Sequence, residues 1–271
     1  MDGRNFSYSE APKVEGGQYL KKMYDLQMEL LEGYLKIEGL PRWPLNINSR
    51  KSQVILKDFA ARVPEELAEG YESTHEVINI MKEVDWNINL LEDDQSQMIK
   101  NHIQNSNEEL ADAMGFFLGL LIYSGIAPSD FNGDLDELMT EGIKELNSFL
   151  PIDKRNLMGY NLVYFADSDE YHKFHESSPG FNHISSQSHE EEAKILWQIQ
   201  YHLGVARNYL KNKPWKQSEE LSDEQLYFYH VKVAFLKMLG YARLMGIEPE
   251  DYYRIYWKKN QTNKFRQKSH Y

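Results

Sequence analysis

Apolar residues recur along this chain at intervals of three and four, with little of the alternation that marks strands. That spacing is the signature of helices that bury one face. From residue 18 to 37 the apolar positions are Leu20, Met23, Tyr24, Leu26, Leu30, Leu31, Tyr34 and Leu35. Gly39-Leu40-Pro41 ends this helix, because proline disfavours helical geometry in the residue before it. A second helix starts near Ser49 and passes Val54, Leu56, Phe59 and Val63 to Pro64, which either kinks it or opens a new one. Two shorter helical patterns follow at 77–84 and 96–103, divided by a turn rich in Asp and Asn.

Ser106-Asn107-Glu108-Glu109 then opens the most hydrophobic stretch, which closes at Ser124-Gly125. Helical spacing resumes at 135–150, lapses over 151–188, and returns at 190–211 and 223–245. Pro249 opens a last helix, 250–267, while residues 1–14 are polar and expected to be loose. The pattern predicts an all-α fold, a helical bundle forming a single catalytic domain over 1–271. Its core helices are expected at about 15–38, 49–73, 106–125, 190–211 and 223–267, with an insertion at 151–188.

Composition narrows the classes of function. With 271 residues, 41% of them apolar, the chain can build a sizeable core. Thirty basic residues against 42 acidic give a net charge of -12, which repels a polyphosphate backbone and argues against nucleic acid as a partner. There is no cysteine, so disulfides, thiolate catalysis and thiolate zinc sites are excluded. The N-terminus lacks an apolar signal region, and the longest apolar stretch, 113–126, is shorter than the ~20 residues that span a bilayer. A soluble cytoplasmic protein (in the host cytoplasm, were it viral) without a membrane partner is the expectation.

Two acidic phrases carry the candidate chemistry. Glu66-Leu67-Ala68-Glu69 follows Pro64, and Glu109-Leu110-Ala111-Asp112 precedes the apolar run. Residues three apart share a helix face, so each phrase projects two carboxylates in one direction. The structural alternative is that the first phrase serves a helix dipole and that Ser106-x-x-Glu109 is a capping box. Asp112 resists that account, since it lies beyond the first turn and is followed by Ala113, Met114, Phe116, Phe117 and Leu118. A buried carboxylate is costly unless it is paired or bound to a cation. Four converging carboxylates suit Mg²⁺ or Mn²⁺. A di-iron bundle needs two Glu-x-x-His pairs, and Glu72-Ser73-Thr74-His75 is the one match. His172 and His175 stand one turn apart but form no recognised ligand pattern.

In the last helix Tyr256, Lys259, Asn263 and Arg266 step by three and four, with Asn260 and Gln267 bordering the stripe. Six basic residues over 250–271 face only Glu250 and Asp251. Bases near a helix C-terminus suit its dipole, and a basic, amide-bearing face equally suits phosphate oxygens.

Glu66-x-x-Glu69 and Glu109-x-x-Asp112 resemble the paired metal motifs of the all-α nucleoside triphosphate pyrophosphohydrolases, the superfamily that includes the MazG proteins. The phrase from Lys259 and Asn260 to Asn263, Arg266 and Gln267 is similar to the C-terminal phrase of the dimeric dUTPase branch. Leu26-Gln27 resembles the phrase with which those enzymes meet the base, although Leu31 stands where that branch usually carries Asn.

The resemblance implies hydrolysis of dUTP to dUMP and pyrophosphate by metal-activated water attack. It implies two or three Mg²⁺ ions, or Mn²⁺, on Glu66, Glu69, Glu109 and Asp112, with Glu66 and Glu69 as catalytic groups. Lys259, Asn263, Arg266, Tyr256, Asn260 and Gln267 would bind phosphate, and Gln27 the base, in a homodimer. The alternatives are the same chemistry on dCTP or dTTP, and a non-catalytic helical regulatory protein that keeps the fold.

Overall fold

Seven α-helices carry the described part of the chain: α1 Tyr19–Glu38, α2 Arg50–Glu83, α3 Asp93–Ser124, α4 Leu135–Phe149, α5 Ser186–Tyr209, α6 Glu224–Leu244 and α7 Pro249–Lys268. The computed structural model describes residues 6–85, 90–149, 186–212 and 220–269, with side chains from 189 onward in the third span. No strand occurs among these residues, so the fold is all-α as the periodicity predicts. None of the described helices is long and apolar enough to cross a membrane. The expected insertion at 151–188, with His172 and His175, lies outside the described residues except for the first backbone turn of α5.

Two helices are longer than the spacing suggests. α2 continues through Pro64 and absorbs the pattern at 77–84. Proline forfeits one backbone hydrogen bond there, but Val63 and Leu67 on either side are both buried, and that packing holds the helix together. α3 begins at Asp93, where the side chain of Gln95 accepts a hydrogen bond from the Glu92 N–H at 3.1 Å. Ser106 and Asn107 are therefore buried mid-helix residues and not a cap, so the capping-box alternative for Glu109 fails. The first residues also depart from expectation. Tyr8 is buried, in a short 3-10 turn capped by Ser7, with the Lys258 ammonium 4.2 Å from its ring centre.

α2 and α3 form an antiparallel pair. Phe59 packs on Gly119, Gly70 lies against Ser106, Ser73 accepts from Asn105, and Glu83 accepts from Gln95, so the partners run in opposite directions. α1 and α7 pack on each other and on α3 at one side, while α4, α5 and α6 close the other. The N-terminus of α1 is capped from afar, by Asp134 accepting from the N–H groups of Tyr19 (3.1 Å) and Leu20 (3.3 Å). Gly125 ends α3 in the left-handed region, at φ +76°, where a side chain would be strained.

α4 crosses α6 glycine on glycine. A Cβ at Gly142 would strike the Leu236 carbonyl and lie 2.5 Å from the Gly240 nitrogen, so the two backbones touch. Polar groups are buried nearby. Lys237 donates to Gln198 Oε1 at 2.9 Å and to the Glu145 carbonyl in the last turn of α4. Glu192 of α5 is fully buried between α2 and α6, and accepts from the Tyr241 hydroxyl at 2.6 Å. The Thr74 hydroxyl lies 3.0 Å from the other Glu192 oxygen and 2.9 Å from the Tyr71 carbonyl.

Candidate functional site

The antiparallel register sets the acidic phrases beside each other. With Gly70 against Ser106, Glu69 stands level with Glu109 and Glu66 with Asp112. Glu66, Glu69 and Glu109 each turn a carboxylate oxygen inward, and these oxygens lie within 4.8 Å of one another. Asp112 borders the trio but points to α7, where it pairs with the Lys259 ammonium at 2.7 Å.

Electrostatics reflect the crowding. Burial, then the neighbouring Asp112, Glu109 and Glu69 carboxylates, push Glu66 up to about 7. Glu66 also shares a hydrogen bond with Glu109, which favours a proton on Glu66. Burial raises Glu109 as well, partly offset by Lys259. Asp112 is raised by burial, against the pull of Lys259 and Arg266. Oxygen-only donors that repel one another in this way fit a hard divalent cation.

Next to this cluster lies a cavity of about 430 Å³. Its lining mixes the apolar Leu30, Leu31, Phe59 and Phe116 with the polar Gln27, Asp112, Lys259, Asn260 and Asn263. The volume falls in the range of roughly 300–1,000 Å³ typical of small-molecule sites. Protein-family models, curated proteins and solved structures contain no match to this chain.

α7 shows two adjoining stripes where the sequence suggests one. Lys259 and Asn263 line the cavity, and the charge of exposed Arg266 is felt at Asp112. Tyr256, Asn260 and Gln267, expected among the phosphate contacts, direct polar groups to α1, although Tyr256 and Asn260 also border the cavity. The Tyr256 hydroxyl donates to Gln27 Oε1 at 2.7 Å, Asn260 Nδ2 to the Leu26 carbonyl at 3.2 Å, and Gln267 Nε2 to the Leu30 carbonyl at 3.1 Å. Gly33 makes room for Gln267, since a Cβ there would strike its amide. These three residues hold α7 on α1, and so hold Lys259 over the carboxylates.

Spacing alone misses part of the lining. Asp58, Arg62 and Phe59 border the cavity from α2, and Phe116 borders it from α3. A signal was present for two of them, since 58, 62, 66 and 69 step by four, four and three along one helix face. Among the described residues no tryptophan lines the cavity: Trp43 packs edge-on to Tyr123 and Trp257 to Phe6.

Proposed function

We propose that this protein is a divalent-cation-dependent nucleoside triphosphate pyrophosphohydrolase, acting on a pyrimidine deoxynucleotide and foremost on dUTP. One juxtaposition carries the reading. Three carboxylates with oxygens within 4.8 Å of one another, and Lys259 facing Asp112, adjoin a cavity lined by both apolar and polar side chains. The acid cluster suits cations, the Lys259–Asn263 stripe suits phosphate oxygens, and the apolar part of the lining suits a base. The two motifs and the C-terminal phrase resemble those of the dimeric dUTPases, which supports the same reading and adds a homodimer to it.

Glu66, Glu69 and Glu109 would hold Mg²⁺, with Asp112 joining them once Lys259 turns to substrate. When bound, the cation neutralises the crowded carboxylates and lowers the proton affinity of the attacking water. Glu66 and Glu69 orient that water by accepting its hydrogens. Lys259 and Asn263 donate to phosphate oxygens and stabilise negative charge as the bond between the α- and β-phosphoryl groups breaks. One water is consumed, and the nucleoside monophosphate and pyrophosphate leave.

The test is a panel of deoxynucleoside triphosphates with Mg²⁺ and detection of pyrophosphate, alongside Glu69→Ala and Asp112→Ala. Turnover of dUTP by the wild type and its loss in both variants, with helicity retained, is the expected result. Full activity in either variant, or release of pyrophosphate from no substrate, overturns the proposal. Light scattering reports on the dimer.

A further inference from the structure

A second cavity, of about 10 Å³, lies between α2, α3 and the end of α6, with Glu66, Gly70, Ser106, Asn107 and Tyr241 in its lining. Room of roughly 10–15 Å³ for its centre is what one buried water needs, together with about two to four polar partners. Two observations mark this space as a place for a polar molecule and not a packing flaw. Ser106 is 6% exposed, and its hydroxyl makes no hydrogen bond to any described residue. That oxygen is not among the described side-chain atoms sealed from solvent without a partner, so the second cavity is where it is open. A hydroxyl left dry there would be costly. Gly70 supplies the other observation. A Cβ on it would meet Glu109 Cβ and the Ser106 carbonyl oxygen at 3.6 Å, and the Ser106 hydroxyl at 3.7 Å, all ordinary contacts. Alanine would therefore fit, and it is the better helix former. Glycine at this buried mid-helix position keeps a space open beside Ser106 and one turn from Glu66.

We propose that one water is held in this space by the Ser106 hydroxyl and donates to the Glu66 carboxylate, so that Ser106, acting through the water, is a positioning residue for Glu66. The Ser106 carbonyl oxygen, with a lone pair beyond its helical bond, accepts the other hydrogen. Glu66 contributes one oxygen to the acid trio, which leaves its second oxygen for the water. A carboxylate tied in this way presents its cation-facing oxygen in one orientation, as the outer partners of metal ligands do elsewhere. The link to a cation rests on the proposed function; the water itself does not.

The experiment combines a crystal structure of the wild type with calorimetric Mg²⁺ affinities and Tm values for the wild type, Gly70→Ala, Ser106→Ala and the double variant. An ordered water within about 3.2 Å of both Ser106 Oγ and a Glu66 oxygen is expected. A dry cavity, or a water that does not reach Glu66, overturns the inference. Gly70→Ala fills the space and should weaken Mg²⁺ binding ~10-fold, the usual effect of losing an outer partner of a metal ligand. Ser106→Ala should do the same, and the double variant should bind no more weakly than either, because all three lose the one water. If Gly70→Ala instead raises Tm by the ~2–4 °C expected of a better helix former and leaves Mg²⁺ affinity unchanged, the water has no role and the inference falls. Losses that add in the double variant also overturn it, since they would arise independently. Coupled losses in a protein that turns over no triphosphate would refute the hydrolase reading and leave this one standing, whereas a wild type that binds no Mg²⁺ overturns both.

Discussion

Replacing Glu192 by glutamine should make the protein more stable at pH 8 and leave it unchanged at pH 4. The Thr74 hydroxyl faces both the Tyr71 carbonyl and Glu192 Oε2, at 2.9 and 3.0 Å. It has one proton, so one of these oxygen pairs must draw its proton from elsewhere. A protonated Glu192 supplies it: the carboxyl donates to Thr74, Thr74 donates to Tyr71, and Tyr241 donates to Oε1. Every group is then satisfied without a buried charge. Burial, partly opposed by the Tyr241 and Thr74 hydrogen bonds, pushes this carboxyl from 4.5 up to about 7. The folded chain thus holds the proton more tightly than the unfolded one. The stabilisation is fully present below pH 4.5 and is lost as the pH rises through about 7. At about 1.4 kcal/mol per tenfold change in affinity, the loss amounts to ~3 kcal/mol above pH 8. Glutamine is neutral and nearly isosteric, with an N–H₂ for Thr74 and an oxygen for Tyr241. Urea unfolding of both proteins from pH 4 to 8.5, followed by far-UV circular dichroism, gives the difference directly. A Glu192→Gln variant that is less stable than the wild type at pH 8 would refute the argument.

Other expectations follow from the packing and the site. Gly142→Ala gains roughly 1 kcal/mol in helix propensity but drives a methyl into the backbone of α6, and should lose ~3 kcal/mol net, read from the denaturation midpoint. Lys259→Met removes the cation beside Asp112 and should lower kcat ~100-fold in the pyrophosphate assay while the fold is retained. Arg266→Ala, at an exposed position, should chiefly raise KM for the triphosphate; a change confined to thermal stability would return Arg266 to a dipole role. Millimolar Mg²⁺ should raise the Tm of the wild type and not of Glu69→Ala, since an ion at 100 times its Kd adds about 2.7 kcal/mol to the folded state.

Much of this was legible from residue spacing, because helical periodicity reports burial directly. α1, α4, α6 and α7 begin and end close to where the apolar pattern and its Gly and Pro punctuation place them. The extent of α2 and α3 was not. Proline at 64 and Ser106-x-x-Glu109 are local signals, and tertiary packing of Val63, Leu67, Ile99 and Ile103 overrides both. The convergence of Glu66, Glu69 and Glu109 needed the α2–α3 register, which no single helix encodes. The same holds for Tyr256 and Gln27, which lie far apart in sequence and meet only because α7 lies on α1. Spacing placed Tyr256 and Lys259 on one face of α7; only the neighbouring helices show that they serve opposite partners.

The paired stripes of α7 also limit how this helix can vary. Each residue added to an α-helix rotates everything beyond it by about 100°. One residue inserted between Tyr256 and Lys259 would swing Lys259, Asn263 and Arg266 round toward α1, and one deleted would swing them away from the carboxylates. Between 256 and 266 the chain can exchange side chains far more readily than it can change length. Relatives that keep the site should therefore show substitutions but no gaps across this stretch.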